Sequence, residues 1–200
     1  MAKSMSRRDL SLAEMVGDEF RFIRGWVANR KKIGAISPSS RALARLMVQQ
    51  ADPDPEGYAL ELGPGSGVFT QALIDAGVPP ERIIAVEHSE EFCRLLSQRF
   101  PTLSVVKGDA FDLEKALEPY VGIKFSAAIS GLPLLSFPRE VRMGCIEGVL
   151  DRLQPGKSLV QFSYGALGPM PSIPGRFTAT ASKWVLMNLP PARVWTYRRA

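Results

Sequence analysis

Two hydrophobic rhythms divide the chain. Leu12, Val16, Phe20, Ile23 and Val27 recur at helical spacing, with Met15, Phe22 and Trp26 beside the same stripe. That pattern predicts an amphipathic N-terminal helix with an aromatic edge. "ISPSSRALARLMVQQ" then reads as a turn, a Ser cap and a second helix reaching Gln50, and "ADPDPEG" as a loop.

From Tyr58 the rhythm changes. Short apolar runs alternate with helical ones: strands at "YALELG", "RIIAVEH", "LSVVKGDA", "KFSAAIS" and "SLVQFSY". Between them stand helices at "VFTQALIDAG", at "SEEFCRLLSQRF" with Ser89 as cap, at "DLEKALEPY" and at "FPREVRMGCIEGVLDRL". Repeated strand–helix units predict a doubly wound, mostly parallel α/β sheet. After "ALGPMPSIPGR" the alternation stops, and "FTATASKWVLMNL" and "ARVWTYRR" read as two strands with no helix between them. Parallel strands need a long crossover, so that closing pair is expected to be antiparallel. The division expected is an N-terminal part, 1–50, that covers substrate or membrane, and a ligand-binding part, 51–200.

Composition adds charge and redox context. The chain has 200 residues and a net charge of +5. Met1 to Lys32 holds eight basic and four acidic residues, so most of the excess charge sits on the predicted N-terminal helix. That favours a polyanionic partner, either nucleic acid or an anionic membrane, over a modestly basic enzyme with no such partner. Two cysteines, Cys93 and Cys145, form no disulfide framework and read as free thiols in a reducing cytoplasm; with the single His88 they make no zinc site, so no metal is expected. No apolar segment follows the basic Met1–Arg8, and no run approaches the roughly 20 residues needed to span a bilayer.

The chemistry concentrates at the strand ends. Gly63, Gly65 and Gly67 form a G-x-G-x-G turn after strand 1, where open α/β sheets bind ligands. Glycines there admit close backbone approach, and the helix start beyond offers N–H groups to negative charge. The spacing is not the dinucleotide G-x-G-x-x-G, and no phosphate-loop Lys-Ser/Thr follows. A tight turn without ligand is the alternative. Glu87 ends strand 2, where an acid can accept from both ribose hydroxyls and repel a 2′-phosphate. At the end of strand 3, Gly108-Asp109-Ala110 can offer a carboxylate to an adenine amine and an N–H to a ring nitrogen.

Glu61-Leu62-Gly63-Pro64-Gly65-Ser66-Gly67 resembles the first cofactor motif of the class I S-adenosylmethionine-dependent methyltransferases, and Gly-Asp-Ala resembles their third. The resemblance implies a Rossmann-like seven-stranded fold with an antiparallel last strand. It also implies S-adenosylmethionine as cofactor, S-adenosylhomocysteine as product, and an acid at Glu61 that orients water or the cofactor amine. The loop after strand 4, Ser130-Gly131-Leu132-Pro133-Leu134, stands where base-modifying members carry Asn-Leu-Pro-Tyr. "LELGPGSGVFTQAL", "GDA" and the Leu-Pro pair resemble the ribosomal RNA adenine dimethyltransferases. Gly131 and Leu134 depart from them at the amide and the stacking ring that a flipped base requires.

"KKIGAISPSSRALARLM", "LELGPGSGVFTQAL", "SGLPLLSFP" and "NLPPARVWTYRR" together resemble the bacterial phospholipid N-methyltransferases, which convert phosphatidylethanolamine stepwise to phosphatidylcholine. That resemblance implies a cytoplasmic enzyme peripheral on the inner membrane face, held by its N-terminal helix on an anionic surface, with no nucleic acid partner. Tyr164 is then the candidate for the amine, through its hydroxyl or ring face, with a buried core tyrosine as the alternative. Leu132, Pro133 and Leu134 would line the acceptor pocket, and Arg176 would bind the lipid phosphate or be a solvated surface charge. Ser130 and His88 would line the cofactor site, and Ile36 and Ser37 would cover it. An RNA adenine dimethyltransferase, and a non-catalytic cofactor-binding module that anchors membranes, are the competing readings.

Overall fold

The computed structural model describes residues 38–200 apart from Gly165 and Leu189, with side chains from Arg41 onward. The predicted helix within residues 1–32, Ile36 and Ser37 lie outside the described residues. Five helices and seven strands follow in order: α1 (Pro38–Ala51), β1 (Tyr58–Leu62), α2 (Val68–Asp75), β2 (Ile83–Glu87), α3 (Glu90–Arg99), β3 (Ser104–Lys107), α4 (Leu113–Ala116), β4 (Phe125–Ser130), α5 (Arg139–Leu150), β5 (Leu159–Ser163), β6 (Phe177–Ala181) and β7 (Arg193–Arg199).

The strands form one sheet in the order β3-β2-β1-β4-β5-β7-β6. β1 to β5 pair in parallel, and β7 is antiparallel to both β5 and β6. This is the Rossmann-like methyltransferase topology, with the last strand reversed as expected. Its consequence is directional. The carboxyl ends of β1 to β6 and the start of β7 share one edge, and the end of β7 lies at the other.

Side chains alternate between two cores. Leu60, Leu62, Ile84, Val86 and Ala128 face α4 and α5, packing on Leu113, Ile146 and Val149. Ala59, Ala85, Ala127 and Ile129 face the other helices, packing on Leu43 and Met47 of α1, Leu73 of α2 and Leu96 of α3. Burial on both faces explains why these strands read as unbroken apolar runs. Each fully buried Leu or Ile contributes roughly 1.5–3 kcal/mol. α1 belongs to the same compact unit as the sheet, which runs from Pro38 to Ala200. Thr196 of β7 donates to Gln50 of α1 at 2.7 Å, tying the helix to the sheet.

Ser89 caps α3 as expected, its Oγ accepting from the Phe92 N–H. The run Phe177–Leu189, read as one long strand, stops at Ala181. Ser182 ends it: its Oγ accepts from the Val194 N–H and donates to the Lys183 carbonyl, diverting the backbone from the ladder. Beyond it only an isolated bridge, Val185 to Ala192, continues the pairing, and residues 182–192 form a loop at the carboxyl edge. No helix among the described residues is long and apolar enough to cross a membrane.

Candidate active site

The glycine turn rises from β1 at the carboxyl edge and feeds directly into α2. Gly63, Gly65 and Gly67 adopt positive φ of 64°, 53° and 80°. At Gly65 no atom lies within 4 Å of where a Cβ would stand, so that backbone faces open space. Its N–H donates to Glu87 Oε2 at 3.1 Å, and Glu87 Oε1 accepts from the Ser89 N–H at 2.8 Å. Glu87 is 3% exposed. Its carboxylate thus closes the gap between the ends of β1 and β2, at the place where an acid reaches ribose hydroxyls.

Glu61 sits one residue before the end of β1 and points toward the helix face that holds α2. Its register partners are Ala85 and Ile129, and it is fully buried. Thr70, in the first turn of α2, donates to Glu61 Oε2 at 2.7 Å. Oε1 is buried with no partner. Desolvation raises the carboxyl from 4.5 to about 7; the Thr70 hydrogen bonds oppose the shift and the nearby Glu87 charge adds slightly to it. A buried carboxylate oxygen without a donor is costly unless a ligand supplies one. An ammonium or an ordered water is the chemistry that fits, and a methionine-type cofactor carries the former.

The end of β3, where an adenine is expected, is more open. Gly108 donates to the Glu87 carbonyl at 3.0 Å, which holds the ends of β2 and β3 together. Asp109 is exposed and its Oδ1 accepts from the Phe111 N–H at 2.9 Å, while Ala110 is buried. His88 is exposed beside Glu87. Both cysteines stay thiols: burial raises Cys145 to about 12 and raises Cys93 as well.

At the end of β4, Ser130 is fully buried and its Oγ accepts from the Leu132 N–H. A Cβ on Gly131 would meet the Gly63 carbonyl oxygen at 2.7 Å. The acceptor loop therefore touches the glycine turn backbone to backbone, and glycine is what the contact admits. Leu132 and Leu134, at 9% and 1% exposure, belong to the core under the loop; Leu135, at 44%, is the side chain that meets solvent. Pro133 is half-buried. Gln161 of β5, which the sequence reading missed, donates to the Leu132 carbonyl at 2.6 Å and fixes the loop from below. Thr70 was missed likewise. Tertiary approach alone identifies these two.

A row of rings borders this loop. Phe69 of α2 lies 5.8 Å from Phe162 of β5, and Phe162 lies 5.3 Å edge-to-face from Tyr164. The Phe69 Cε2 is 3.5 Å from the hypothetical Gly131 Cβ, so the row starts beside the acceptor loop. Tyr164 is 40% exposed. The structure thus brings Glu61, Pro64, Gly65, Glu87, Gly108, Asp109, Ser130 and Tyr164 to one edge.

Arg176 is not among them. It precedes β6, at the amino edge, and pairs with Glu147 of α5 at 2.6 Å. Its place there follows from the direction of β6, which becomes known only with the sheet order. An arginine at the carboxyl edge is Arg193, the first residue of β7. It stacks between Trp184 and Trp195, 5.6 and 5.2 Å from their ring centres, and donates to the Ser182 carbonyl.

No family model matches the chain. It is 30% identical over 189 residues to the ornithine lipid N-methyltransferase of Singulisphaera acidiphila, covering 90% of this chain and 96% of that one. To a ribosomal RNA small subunit methyltransferase A of a Synechococcus strain it is 35% identical over 102 residues, covering 50% of this chain and 33% of that enzyme. A TehB-like S-adenosylmethionine-dependent methyltransferase structure from Corynebacterium glutamicum shares the fold with a TM-score of 0.61 at 14% identity, covering 92% of this chain and 99% of that one.

Proposed function

The chain belongs to the class I S-adenosylmethionine-dependent methyltransferases, in the family of the ornithine lipid N-methyltransferase, and from that premise we propose that it methylates the amine of a membrane aminolipid, phosphatidylethanolamine, stepwise toward phosphatidylcholine. The acceptor side carries this reading. The loop after β4 has no amide at Gly131, where a Cβ would run into the Gly63 carbonyl at 2.7 Å. It has no exposed ring at Leu134, which is core. A base would find neither hydrogen bond nor stacking there, whereas the Phe69–Phe162–Tyr164 row suits a cationic amine. The end-to-end match to a lipid enzyme supports it, against a half-chain match to RNA enzymes.

S-adenosylmethionine would supply a sulfonium-bound methyl group for transfer to a neutral nitrogen. Glu61 would hold the ammonium of that cofactor through Oε1, Glu87 its ribose hydroxyls, and Asp109 with the Ala110 N–H its adenine. Ser130 and the Leu132–Pro133 backbone shape the entry to the transferable methyl, and Tyr164 orients the amine. Positioning and exclusion of water account for most of the rate. The amine sheds a proton at each of the three transfers, since each attack needs a neutral nitrogen, and the third leaves a quaternary ion with no proton to lose that binds best to an aromatic face. Residues 1–32 hold the enzyme on the anionic cytoplasmic membrane surface as a peripheral protein.

Ornithine lipid is the second acceptor, favoured by the relative named for it. Mass spectrometry of vesicle lipids after incubation with S-adenosylmethionine separates the two. Phosphatidylethanolamine species heavier by one, two and three methyl groups support the proposal. Methylation of ornithine lipid alone moves the assignment to that acceptor.

A further inference from the structure

Large apolar side chains reach solvent at the carboxyl edge on two loops that join there. Leu167, in the loop after β5, is 77% exposed; Trp184, Leu186 and Met187, in the loop between β6 and β7, are 41%, 75% and 74% exposed. Single exposed leucines are ordinary, but a group at the rim of one site is not. The two loops share a base. A Cβ on Gly168 would stand 2.6 Å from the Trp195 ring, and Arg193 lies between Trp195 and Trp184. Ser163 links them further, accepting from Trp195 Nε1 and donating to the Leu167 carbonyl. β7 and β6 stand one and two strands beyond β5, so the base lies about 5 to 10 Å from the acceptor side at about 4.8 Å per strand.

Charge singles out the occupant. After Asp151 the chain contains no acidic residue, yet it carries seven basic ones through Ala200. Arg176 and Arg199 pair with Glu147, and Lys157 with Asp52, away from this edge. Lys183 and Arg193 remain at the root of the apolar tip, on a loop and a strand without acids. Tryptophan and arginine above exposed aliphatics form the composition of a segment that lies in a lipid headgroup layer.

We propose that the β6–β7 loop, through Trp184, Leu186 and Met187 with Leu167 beside them, inserts into an anionic bilayer and sets the acceptor side of the site against the lipid headgroups. This rests on the aminolipid reading and goes beyond it: it adds a second docking element, separate from residues 1–32, that fixes orientation as well as attachment. A lipid amine then reaches the Phe69–Phe162–Tyr164 row without leaving the membrane.

The test uses the full chain with phosphatidylglycerol-containing vesicles that also hold phosphatidylethanolamine. An environment-sensitive fluorophore is attached at Met187→Cys in a Cys93→Ser background; Cys145, buried and raised to about 12, stays unlabelled. Its emission should shift to the blue on vesicle addition. Leu186→Gln with Met187→Gln should lower the vesicle partition coefficient about tenfold, with unchanged calorimetric affinity for S-adenosylmethionine showing that the fold is intact. A silent fluorophore and unchanged partition, in samples where the parent enzyme methylates vesicle lipid, would overturn the inference and leave the functional reading standing. A fluorophore that answers ribosomal RNA or protein concentration in place of vesicles would also overturn it, naming RNA or a second copy as the occupant. Lack of methyl transfer to vesicle lipid in the parent would overturn the functional reading itself.

Discussion

Glu61→Gln should make the protein more stable at alkaline pH while weakening its hold on the cofactor. Burial raises the Glu61 carboxyl from 4.5 to about 7. Below pH 4.5 it is neutral in folded and unfolded chains alike. Between 4.5 and 7 the unfolded chain releases the proton that the folded chain keeps, so stability falls as pH rises. Above 7 both are ionised and the whole cost is present, about 3 kcal/mol at about 1.36 kcal/mol per pH unit. Glutamine carries no such cost. Its carbonyl can still accept from Thr70, and its amide replaces the unpartnered Oε1 with an equally unpartnered donor, a penalty that pH does not change. The stability of the variant relative to the parent should therefore grow by about 3 kcal/mol between pH 4 and pH 8, read from denaturant midpoints. A relative stability that stays constant within about 0.5 kcal/mol across that range would refute the burial argument. In calorimetry the variant should bind S-adenosylmethionine more weakly. The parent should release a proton on binding near pH 6.5, because an ammonium at Oε1 drives Glu61 back to its ionised form.

Thr70→Val removes the 2.7 Å bond to Glu61 and should cost about 1–3 kcal/mol, more at pH 8 than at pH 5; equal losses at both would contradict it. Gly131→Ala places a methyl 2.7 Å from the Gly63 carbonyl and should cost about 1–3 kcal/mol in thermal or chemical unfolding. Arg176→Ala, at the amino edge and paired with Glu147, should leave the lipid KM unchanged and cost about 0–1 kcal/mol; a raised KM would return Arg176 to the substrate. Deleting residues 1–32 should reduce co-sedimentation with anionic vesicles, and the binding of the full chain should weaken with salt.

The fold was legible because its strands are buried on both faces and its caps are local. Leu60 and Leu62 alternate with Ala59 and Glu61 within a single short run, and Ser89 announces α3 in the sequence. The gathering of Glu61, Gly65 and Glu87 was legible for a similar reason: they lie at strand ends, whose shared edge follows from the parallel order. The rest of the candidate site was not. Whether Arg176 or Arg193 stands at that edge depends on the direction of β6, and nothing in "PGRF" encodes that. Thr70 and Gln161 act through contacts across nine and 29 residues with no motif around them. The overlong reading of β6 came from an apolar run, "WVLMNL", in which Trp184, Leu186 and Met187 turn outward after Ser182 diverts the backbone.

A lipid amine, and not a nucleobase, is the proposed acceptor. Labelled S-adenosylmethionine should be incubated with the protein and two acceptors in parallel, phosphatidylethanolamine in phosphatidylglycerol-containing vesicles and unmethylated small-subunit ribosomal RNA. Label is expected in the lipid phase and none in the RNA. Label in the RNA with none in the lipid would contradict it, and would mean that a base is held without an amide at Gly131 or a ring at Leu134.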